Sequence, residues 1–303
     1  MTLRSMLLAF GLAGATSSHA DQIAALPDIA GWMKGAELAE FSGLAASQRR
    51  DGRFWALNDG GSSASLWALD RRARVRGEVK VDGVVNVDWE DLASFRLHDK
   101  PWLLIADTGD NDAHRNDISL QIVPEPIQPK GHVQPAWQIR FRFPEGPHDC
   151  ESVAVDAAAG WVYLVSKRVR PSVLYRLPLE PPAGQVMTAE RVGELGGIPQ
   201  PTAAEIANPK NFTRYASEPT ALDLSCDGRT LALLTYARLY LYQRPTAAAD
   251  FAPALTQPVD SVTLPPLPQA EALAYSRGCK RLYVGSENPP VPLLRYRVRS
   301  TSK

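Results

Sequence analysis

A short phrase recurs five times along the chain, and this repeat limits the folds that the chain can adopt. Four copies begin with glutamate and one with serine. They lie about 50 to 70 residues apart, at residues 42–45, 90–93, 151–154, 218–221 and 271–274. Each copy is followed by a turn, a second apolar run that ends in polar residues, and a third apolar run. A repeat of this length built from several short strands predicts a ring or stack of equivalent sheets.

A fourth run of alternating polarity completes each of the first four units, over residues 76–81, 137–143, 191–195 and 259–264. Alternation of this kind is typical of half-buried outer strands. The fifth unit has no fourth run, but residues 36–41 precede the first unit and can supply the missing strand. The pattern therefore predicts an all-β fold, a β-propeller of five four-stranded blades in which an N-terminal strand closes the last blade.

Two alternatives to the five-bladed ring follow from the same sequence. A six-bladed ring requires that residues 196–217, which are rich in proline, contain a degenerate blade. A β-sandwich requires no repeat and no exchange of a terminal strand. Five repeats supply every strand without a further assumption, so we favour five blades.

The N-terminus has the features of a secretory signal peptide. Arg4 precedes an apolar run over residues 6–15, and Ser18-His19-Ala20 gives the small-x-small pattern of a cleavage site. The apolar run is about half the length that spans a membrane. We therefore expect residues 1–20 to be removed, residues 21–303 to form a single propeller domain without a membrane span, and the protein to be periplasmic or secreted.

The charge balance of the mature chain argues against two classes of partner. Without Arg4 the chain carries 32 basic and 33 acidic residues. Nucleic-acid binding and attachment to anionic membranes both favour an excess of basic residues. The expected partner is therefore a small molecule or a protein, and the chain is expected to be a monomer.

The repeat alignment places a glutamate or a serine at one position in every blade. The glutamates are Glu90, Glu151, Glu218 and Glu271, and Ser42 takes the fifth place. The first strand of each propeller blade lines the central channel, so these carboxylates are expected to converge. Ionised carboxylates in one site repel one another unless their pKa values rise or a cation binds between them. Because Ca²⁺ takes about six to eight oxygen ligands in flexible geometry, we expect the four glutamates to bind calcium. Alternatively, each glutamate pairs with a neighbouring arginine and only joins adjacent blades.

The ends of the second strands reach the same face of the ring and predict a ligand site there. The candidate ligand-binding residues are Asn58, Asp59, Asp107, Arg115, Lys167, Arg168, Tyr236 and Glu287. This mixture of carboxylates and cations suits a bound metal with an anionic group of a ligand above it.

No familiar catalytic or calcium-binding motif accompanies these residues. The acidic turn at residues 107–112 lacks the glutamate that an EF-hand loop carries at its twelfth position. The chain has no G-x-S-x-G, no H-E-x-x-H and no phosphate-binding glycine loop. Catalytic residues are therefore left unassigned.

The three cysteines predict one disulfide. Cys226 and Cys279 occupy equivalent turns between the first and second strands of the fourth and fifth units. Adjacent blades bring such turns together, so these two are expected to pair and Cys150 to remain free.

Several phrases resemble those of known exported proteins. They are SGLA at residues 42–45, DWEDLA at 88–93, ADTGDN at 106–111 with a following arginine, and CDGR at 226–229. They resemble uncharacterised exported bacterial β-propeller proteins over almost the whole mature chain. More distantly, the architecture and channel acids resemble the calcium-dependent propellers, which comprise the gluconolactonase, paraoxonase and strictosidine-synthase-like group and the alkaline phytases. The distant resemblance implies Ca²⁺ at the channel and hydrolysis of phosphoesters, esters or lactones.

Two functions follow from these observations. The first is an exported propeller that binds a ligand or a partner at its acidic channel face without turnover. The alternative is a metal-dependent hydrolase of esters, lactones or phosphoesters, in which a carboxylate activates the attacking water.

Overall fold

Five antiparallel sheets are arranged as the blades of a ring in the computed structural model, which describes residues 20–208 and 210–299. The predicted signal peptide, residues 1–20, lies outside the described residues apart from Ala20. Each innermost strand contacts the innermost strands of the two neighbouring blades, so the ring is closed around a central channel. The five-bladed β-propeller predicted from the repeats is confirmed.

The strands of the first four blades follow chain order from the channel outward. Blade 1 comprises Phe41–Ala46, Arg53–Asn58, Ser65–Asp70 and Val75–Val81. Blade 2 comprises Trp89–Leu97, Lys100–Asp107, Ile118–Pro124 and Trp137–Arg142. Blade 3 comprises Cys150–Asp156, Trp161–Ser166, Val173–Pro178 and Glu190–Glu194. Blade 4 comprises Pro219–Leu224, Thr230–Thr235, Arg238–Gln243 and Asp260–Thr263.

Blade 5 is completed by the N-terminal part of the chain. Its own strands are Ala270–Tyr275, Arg281–Ser286 and Val291–Arg299, and its outer edge is formed by Gln22–Ile23 and Asp28–Met33. The exchange of a terminal strand is therefore confirmed, but residues 36–41 are the wrong segment. Ala36–Leu38 is a 3-10 turn, and Phe41 already begins the innermost strand of blade 1. Three strand spacings of about 4.8 Å separate an outer strand from an inner one, so the chain needs a connecting segment between them.

Additional short elements lie outside the four-stranded blades. Gly131–Val133 and Val186–Thr188 pair in parallel with the outer strands of blades 1 and 2 and cover their edges. A helix, Ala203–Ala207, and two 3-10 turns, Phe212–Tyr215 and Ala252–Thr256, lie in loops. The described residues of the interval 196–217 contain this helix and one of the turns but no strand, so they do not form a sixth blade. None of the described helices has the length and apolar composition needed to cross a membrane.

The hydrophobic core is divided into five clusters, and each cluster lies between two adjacent blades. Between blades 1 and 2, for example, Trp55 and Leu66 pack with Trp89 and Leu103, all fully buried. A blade buries its apolar faces only against its neighbours, so ring closure is a condition for the stability of every blade.

Cys226 and Cys279 form a disulfide between the turns of blades 4 and 5, and Cys150 is free and buried. Both expectations for the cysteines are confirmed. The cross-link joins residues 53 positions apart in sequence, so it restricts the unfolded chain.

We expect that replacing Cys226 and Cys279 together by serine lowers the free energy of unfolding by about 2 to 4 kcal/mol, because the unfolded chain gains freedom. Chemical denaturation of the variant and the wild type measures the difference. Wild-type protein in a reducing agent is the control and should match the variant. Equal stability of oxidised and reduced wild type would contradict the expectation.

Candidate functional site

The innermost strand of every blade carries an irregularity at the same place. In each case the pairing with the second strand shifts its register near the start of the strand. Such a bulge changes the direction of the side chain that it displaces. The residues at this position, which we term the bulge ring, are Ser42, Glu90, Glu151, Thr220 and Glu271.

Two further sets of equivalent residues surround the same mouth of the channel. Two residues before each bulge lie Glu40, Asp88, Asp149, Glu218 and Gln269, which we term the strand-start ring. Directly after the second strand of each blade lie Asp59, Thr108, Lys167, Tyr236 and Glu287, which we term the strand-end ring. Backbone hydrogen bonds of 2.8 to 3.1 Å join these two rings in four blades, for example from Lys167 N to Asp149 O.

The register of blade 4 differs from the one that the repeated phrase predicts. Pro219 pairs with Thr235, the last residue of the second strand, as Cys150 pairs with Ser166 in blade 3. Thr220 is therefore the counterpart of Glu90, and Glu218 is the counterpart of Asp88. The phrase alignment is wrong by two residues in this blade. The last position of the phrase is alanine in the other four blades but Asp223 here, so the alignment takes Ala221 as that alanine.

Five carboxylates from blades 1, 2 and 3 meet at the mouth of the channel. Ligating oxygens of Asp59, Asp88 and Glu90 lie within 4.8 Å of one another, as do those of Glu90, Asp149 and Glu151. Glu90 belongs to both triplets and therefore lies at the centre of this carboxylate cluster. It is 3% exposed, and within the described part of the chain its carboxylate accepts no hydrogen bond.

Glycine at two positions leaves room for the carboxylate cluster. A Cβ atom on Gly109 would lie 2.2 Å from Glu90 Oε1 and 2.4 Å from Asp88 Oδ2. A Cβ atom on Gly60 would lie 2.1 Å from Asp88 Oδ1. The backbone therefore approaches these carboxylates more closely than any other residue type would allow.

One ammonium group lies beside the carboxylate cluster. Lys167 Nζ contacts Glu151 Oε1 and donates a hydrogen bond of 3.0 Å to the Tyr236 hydroxyl. The Tyr236 hydroxyl in turn donates to Glu271 Oε1 at 2.8 Å. Burial lowers the pKa of Lys167, but Glu151, Tyr236 and Glu271 together outweigh this effect and raise the pKa well above its ordinary value. Lys167 is therefore charged, and it neutralises Glu151. Among the residues that the structure describes, no positive group contacts Asp59, Asp88 or Glu90.

Three guanidinium groups surround the outer part of the mouth. Arg115 Nη2 lies 2.8 Å from Asp107 Oδ1, and Arg168 Nε lies 2.7 Å from Asp149 Oδ2. Arg170 Nη2 lies 3.3 Å from Glu218 Oε1. Of the four predicted metal ligands, Glu90 and Glu151 lie in the carboxylate cluster, whereas Glu218 pairs with Arg170 and Glu271 with Tyr236.

The predicted ligand-binding residues occupy different depths of the mouth. Asp59 lies in the carboxylate cluster, and Lys167 and Tyr236 lie next to it. Asn58 donates from Nδ2 to Glu37 O at 2.9 Å, and its buried Oδ1 has no partner among the described residues. The repeated phrase did not reveal Asp88 and Asp149 as partners of Glu90. Counting back two residues from each bulge finds both of them.

Burial and mutual repulsion raise the pKa values of the clustered carboxyl groups. The pKa of Glu90 is raised well above its ordinary value by burial and by the charges of Glu151 and Asp59. Burial, assisted by the Asp88 charge, raises the pKa of Asp59 to about 6. Burial and the Glu271 carboxylate raise the pKa of Glu287 to about 9. Without a cation, these carboxyl groups therefore ionise at a higher pH than ordinary carboxyl groups do.

Asp91 lies beside the carboxylate cluster, at the centre of the ring. This residue of blade 2 is completely buried, and its Oδ2 accepts hydrogen bonds from Val153 N in blade 3 at 2.8 Å and Leu222 N in blade 4 at 3.2 Å. Its Oδ1 accepts from Leu92 N at 2.8 Å. Asp91 thus joins three blades at the centre of the ring.

We expect the cation-free protein to lose stability as the pH rises. The folded-state pKa values of Asp59 and Glu287 lie above their ordinary values of 3.8 and 4.5. The stabilisation from their protonation is complete below about pH 4 and is lost as the pH rises through about 6 and then about 9. Glutamine does not titrate, so Glu287→Gln should remove the loss of stability that occurs as the pH rises toward 9. The fall in Tm between pH 6 and 9 should then become smaller by about 5 °C. Thermal unfolding in the presence of a chelator measures the change of Tm with pH. The control is Glu180→Gln, which changes an exposed glutamate. An unchanged pH profile for the Glu287 variant would contradict the expectation.

Comparison with known proteins supports the fold. No protein-family model and no curated protein matches this chain. Among solved structures, the major allergen Mala s 1 of Malassezia sympodialis is 11% identical, with a TM-score of 0.54 over 91% of this chain and 97% of that one. A gluconolactonase of Xanthomonas campestris is 11% identical, with a TM-score of 0.47 over 87% and 74% of the two chains. The WD40 domain of Neurospora crassa Pan2 is 10% identical, with a TM-score of 0.35 over 87% of this chain, which spans 64% of that one. At these identities the likeness shows the propeller fold alone.

Proposed function

We propose that this protein is an exported propeller that binds a divalent cation, calcium, at the mouth of its channel and a ligand above it. The observation that carries the proposal is the position of Glu90 at the centre of the carboxylate cluster. Three of the five carboxylates have no positive group in contact within the described part of the chain. A cation relieves their repulsion and replaces the protons that they would otherwise hold.

The donor atoms of the carboxylate cluster suit calcium. All of them are oxygens of aspartate and glutamate, and calcium accepts such ligands in varied geometry together with carbonyl groups and water. Burial raises the pKa of the nearby Cys150 thiol to about 12, so no thiolate is offered to a softer metal. We propose Asp59, Asp88, Glu90, Asp149 and Glu151 as the primary ligands, with Glu218 and Glu271 farther out.

The groups around the cluster suit a ligand that carries an anionic or polar oxygen. Lys167 and Tyr236 lie beside the carboxylate cluster, and Arg115 and Arg168 lie at its rim. With the cation bound, the mouth offers positive charge at its centre and hydrogen-bond donors around it. We propose that Asn58, Asp107 and Glu287 complete the wall that contacts this ligand.

We expect Ca²⁺ to raise the Tm of chelated protein by about 5 °C or more, because the cation binds the folded state only. Replacing Glu90 by glutamine should abolish most of this shift and weaken binding by about tenfold or more, measured by isothermal titration calorimetry. Replacing Gly109 by alanine should have a similar effect, because its Cβ atom would displace Glu90 and Asp88.

The matched control for Gly109→Ala is Gly278→Ala, since a Cβ atom at Gly278 meets open space. This variant should bind Ca²⁺ like the wild type. If wild-type protein shows neither a Tm shift nor a heat of binding with Ca²⁺, the proposed metal site is wrong.

Metal-dependent hydrolysis is the second candidate function, and the position of Lys167 favours it. Its ammonium group and the Tyr236 hydroxyl lie next to the carboxylate cluster, where they can polarise an oxygen of a bound ester. We expect a panel of aryl esters, lactones and phosphomonoesters to include a substrate whose turnover falls at least about a hundredfold in Glu90→Gln and at least about tenfold in Lys167→Met. Activity that survives both changes would exclude this mechanism, and absence of turnover with intact Ca²⁺ binding would leave the binding function.

Export is supported by the disulfide and by the position of Asp21. Disulfides persist mainly in oxidising compartments. Asp21, which follows the expected cleavage site, is 3% exposed, and its carboxylate accepts a hydrogen bond of 2.8 Å from Thr230 Oγ1. Cleavage after Ala20 would therefore retain Asp21 and its contact with blade 4.

We expect the protein recovered from the periplasm or the medium of an expressing bacterium to begin at Asp21. N-terminal sequencing and intact mass measure the cleavage position. A variant with Leu7 and Leu8 replaced by arginine, which interrupts the apolar run of the expected signal peptide, should remain unprocessed inside the cell. Processing at another site, or retention of wild-type protein with residues 1–20 attached, would contradict the prediction.

A further inference from the structure

Two adjoining pockets on the opposite face of the ring are lined by arginine. They lie where the turns of blades 5 and 1 meet. The smaller pocket, of about 110 Å³, is lined by Arg53, Arg71, Arg277, Arg281 and Arg295. The larger, of about 430 Å³, shares Arg53 and Arg71 and adds Arg50 and Arg76. We term these seven residues and their two pockets the arginine cleft.

Few carboxylates balance this charge. Asp51 and Asp70 are the acidic residues that line the two pockets. Asp70 is already bound by Arg74 at 2.8 Å and Arg76 at 2.5 Å. The contact between Arg71 and Asp51 is 3.8 Å long and exposed on both sides, so it contributes little.

Several of the guanidinium groups keep free donors. Arg295 contacts Asp28 through Nη2 at 3.1 Å, but its buried Nε has no partner among the described residues. The side chains of Arg277 and Arg281 take part in no ion pair within the described part of the chain. A buried donor without a partner is costly, and it indicates that an acceptor from outside the chain belongs here.

The backbone holds the arginines close together. Gly52 has a φ of +73°, and a Cβ atom there would lie 2.5 Å from Arg71 Nη2. The turn thus allows the Arg71 guanidinium to lie against the main chain. Burial lowers the pKa of Arg53, and the charge of Arg50 adds to this effect while that of Glu125 opposes it.

We propose that the arginine cleft binds a multiply charged oxyanion, such as a diphosphate group. Guanidinium groups bind phosphate oxygens through paired hydrogen bonds of fixed geometry, and two adjoining pockets suit two linked charged groups. The formal net charge of the chain is zero, so composition alone does not indicate a basic site. The charges are separated in space, with a cluster of carboxylates at the channel mouth and the arginines on the opposite face. The ligand-binding faces of the ring therefore differ in the sign of the charge that they accept.

Titration of chelated and dialysed protein with inorganic pyrophosphate at low salt tests the proposal. We expect binding that weakens at least about tenfold in the double variant Arg277→Ala, Arg281→Ala, because charge-assisted hydrogen bonds are lost. These side chains make no ion pair in the described structure, so the variant should keep the wild-type Tm. The matched control is Arg142→Ala, which removes an exposed arginine on the edge of blade 2 and should bind pyrophosphate like the wild type.

A second arm distinguishes the source of the oxyanion. Vesicles of phosphatidylcholine with phosphatidic acid should co-sediment the protein if the cleft accepts a lipid headgroup, and should not if it accepts a free phosphate compound. Glu90→Gln should retain pyrophosphate binding, which separates this site from the channel mouth. No binding of pyrophosphate, or equal losses in the double variant and in Arg142→Ala, would overturn the proposal.

Discussion

The Asp91 carboxylate is the interaction on which the centre of the ring depends. It lies in a completely buried position and accepts backbone hydrogen bonds from its own strand and from blades 3 and 4. A buried carboxylate is stable only when its oxygens are satisfied, and here three backbone donors satisfy them. A ring of five blades is narrow enough for one side chain of blade 2 to reach blade 4. The same contacts fix the innermost strands of blades 2, 3 and 4 beside their bulges.

Ring closure connects this central contact with the periphery. Every blade buries its apolar faces against two neighbours, and blade 5 is complete only when Asp28–Met33 adds its outer strand. The disulfide joins blades 4 and 5 at the turns on the opposite face from the carboxylate cluster. Asp223 repeats the role of Asp91 between these two blades, since its Oδ2 accepts a hydrogen bond of 2.7 Å from Tyr275 N. Hydrogen bonds from backbone N–H groups to these two carboxylates thus join blade 2 to blades 3 and 4, and blade 4 to blade 5.

Charge is distributed unevenly around this scaffold. Carboxylates converge where the innermost strands begin, and arginines gather where the turns of blades 5 and 1 meet on the other face. Both clusters raise the energy of the unliganded protein, because like charges lie close together with few partners. A ligand of the opposite sign would stabilise each cluster. We infer that the two faces serve two separate binding events rather than one ligand that passes through the channel.

The sequence by itself determined the all-β class, the number of blades, the exchange of a terminal strand and the pairing of Cys226 with Cys279, because each of these depends on a repeated pattern of apolar runs. It also singled out Glu90 and Glu151. Only the tertiary structure decided the register of blade 4, where Thr220 takes the position that the phrase assigned to Glu218. A shift of two residues keeps the alternation of a strand, so the pattern cannot detect it. The closing strand, the meeting of Asp149 with Glu90 and the arginine cleft were likewise decided by the fold, because the residues involved come from different blades and meet only when the ring is closed.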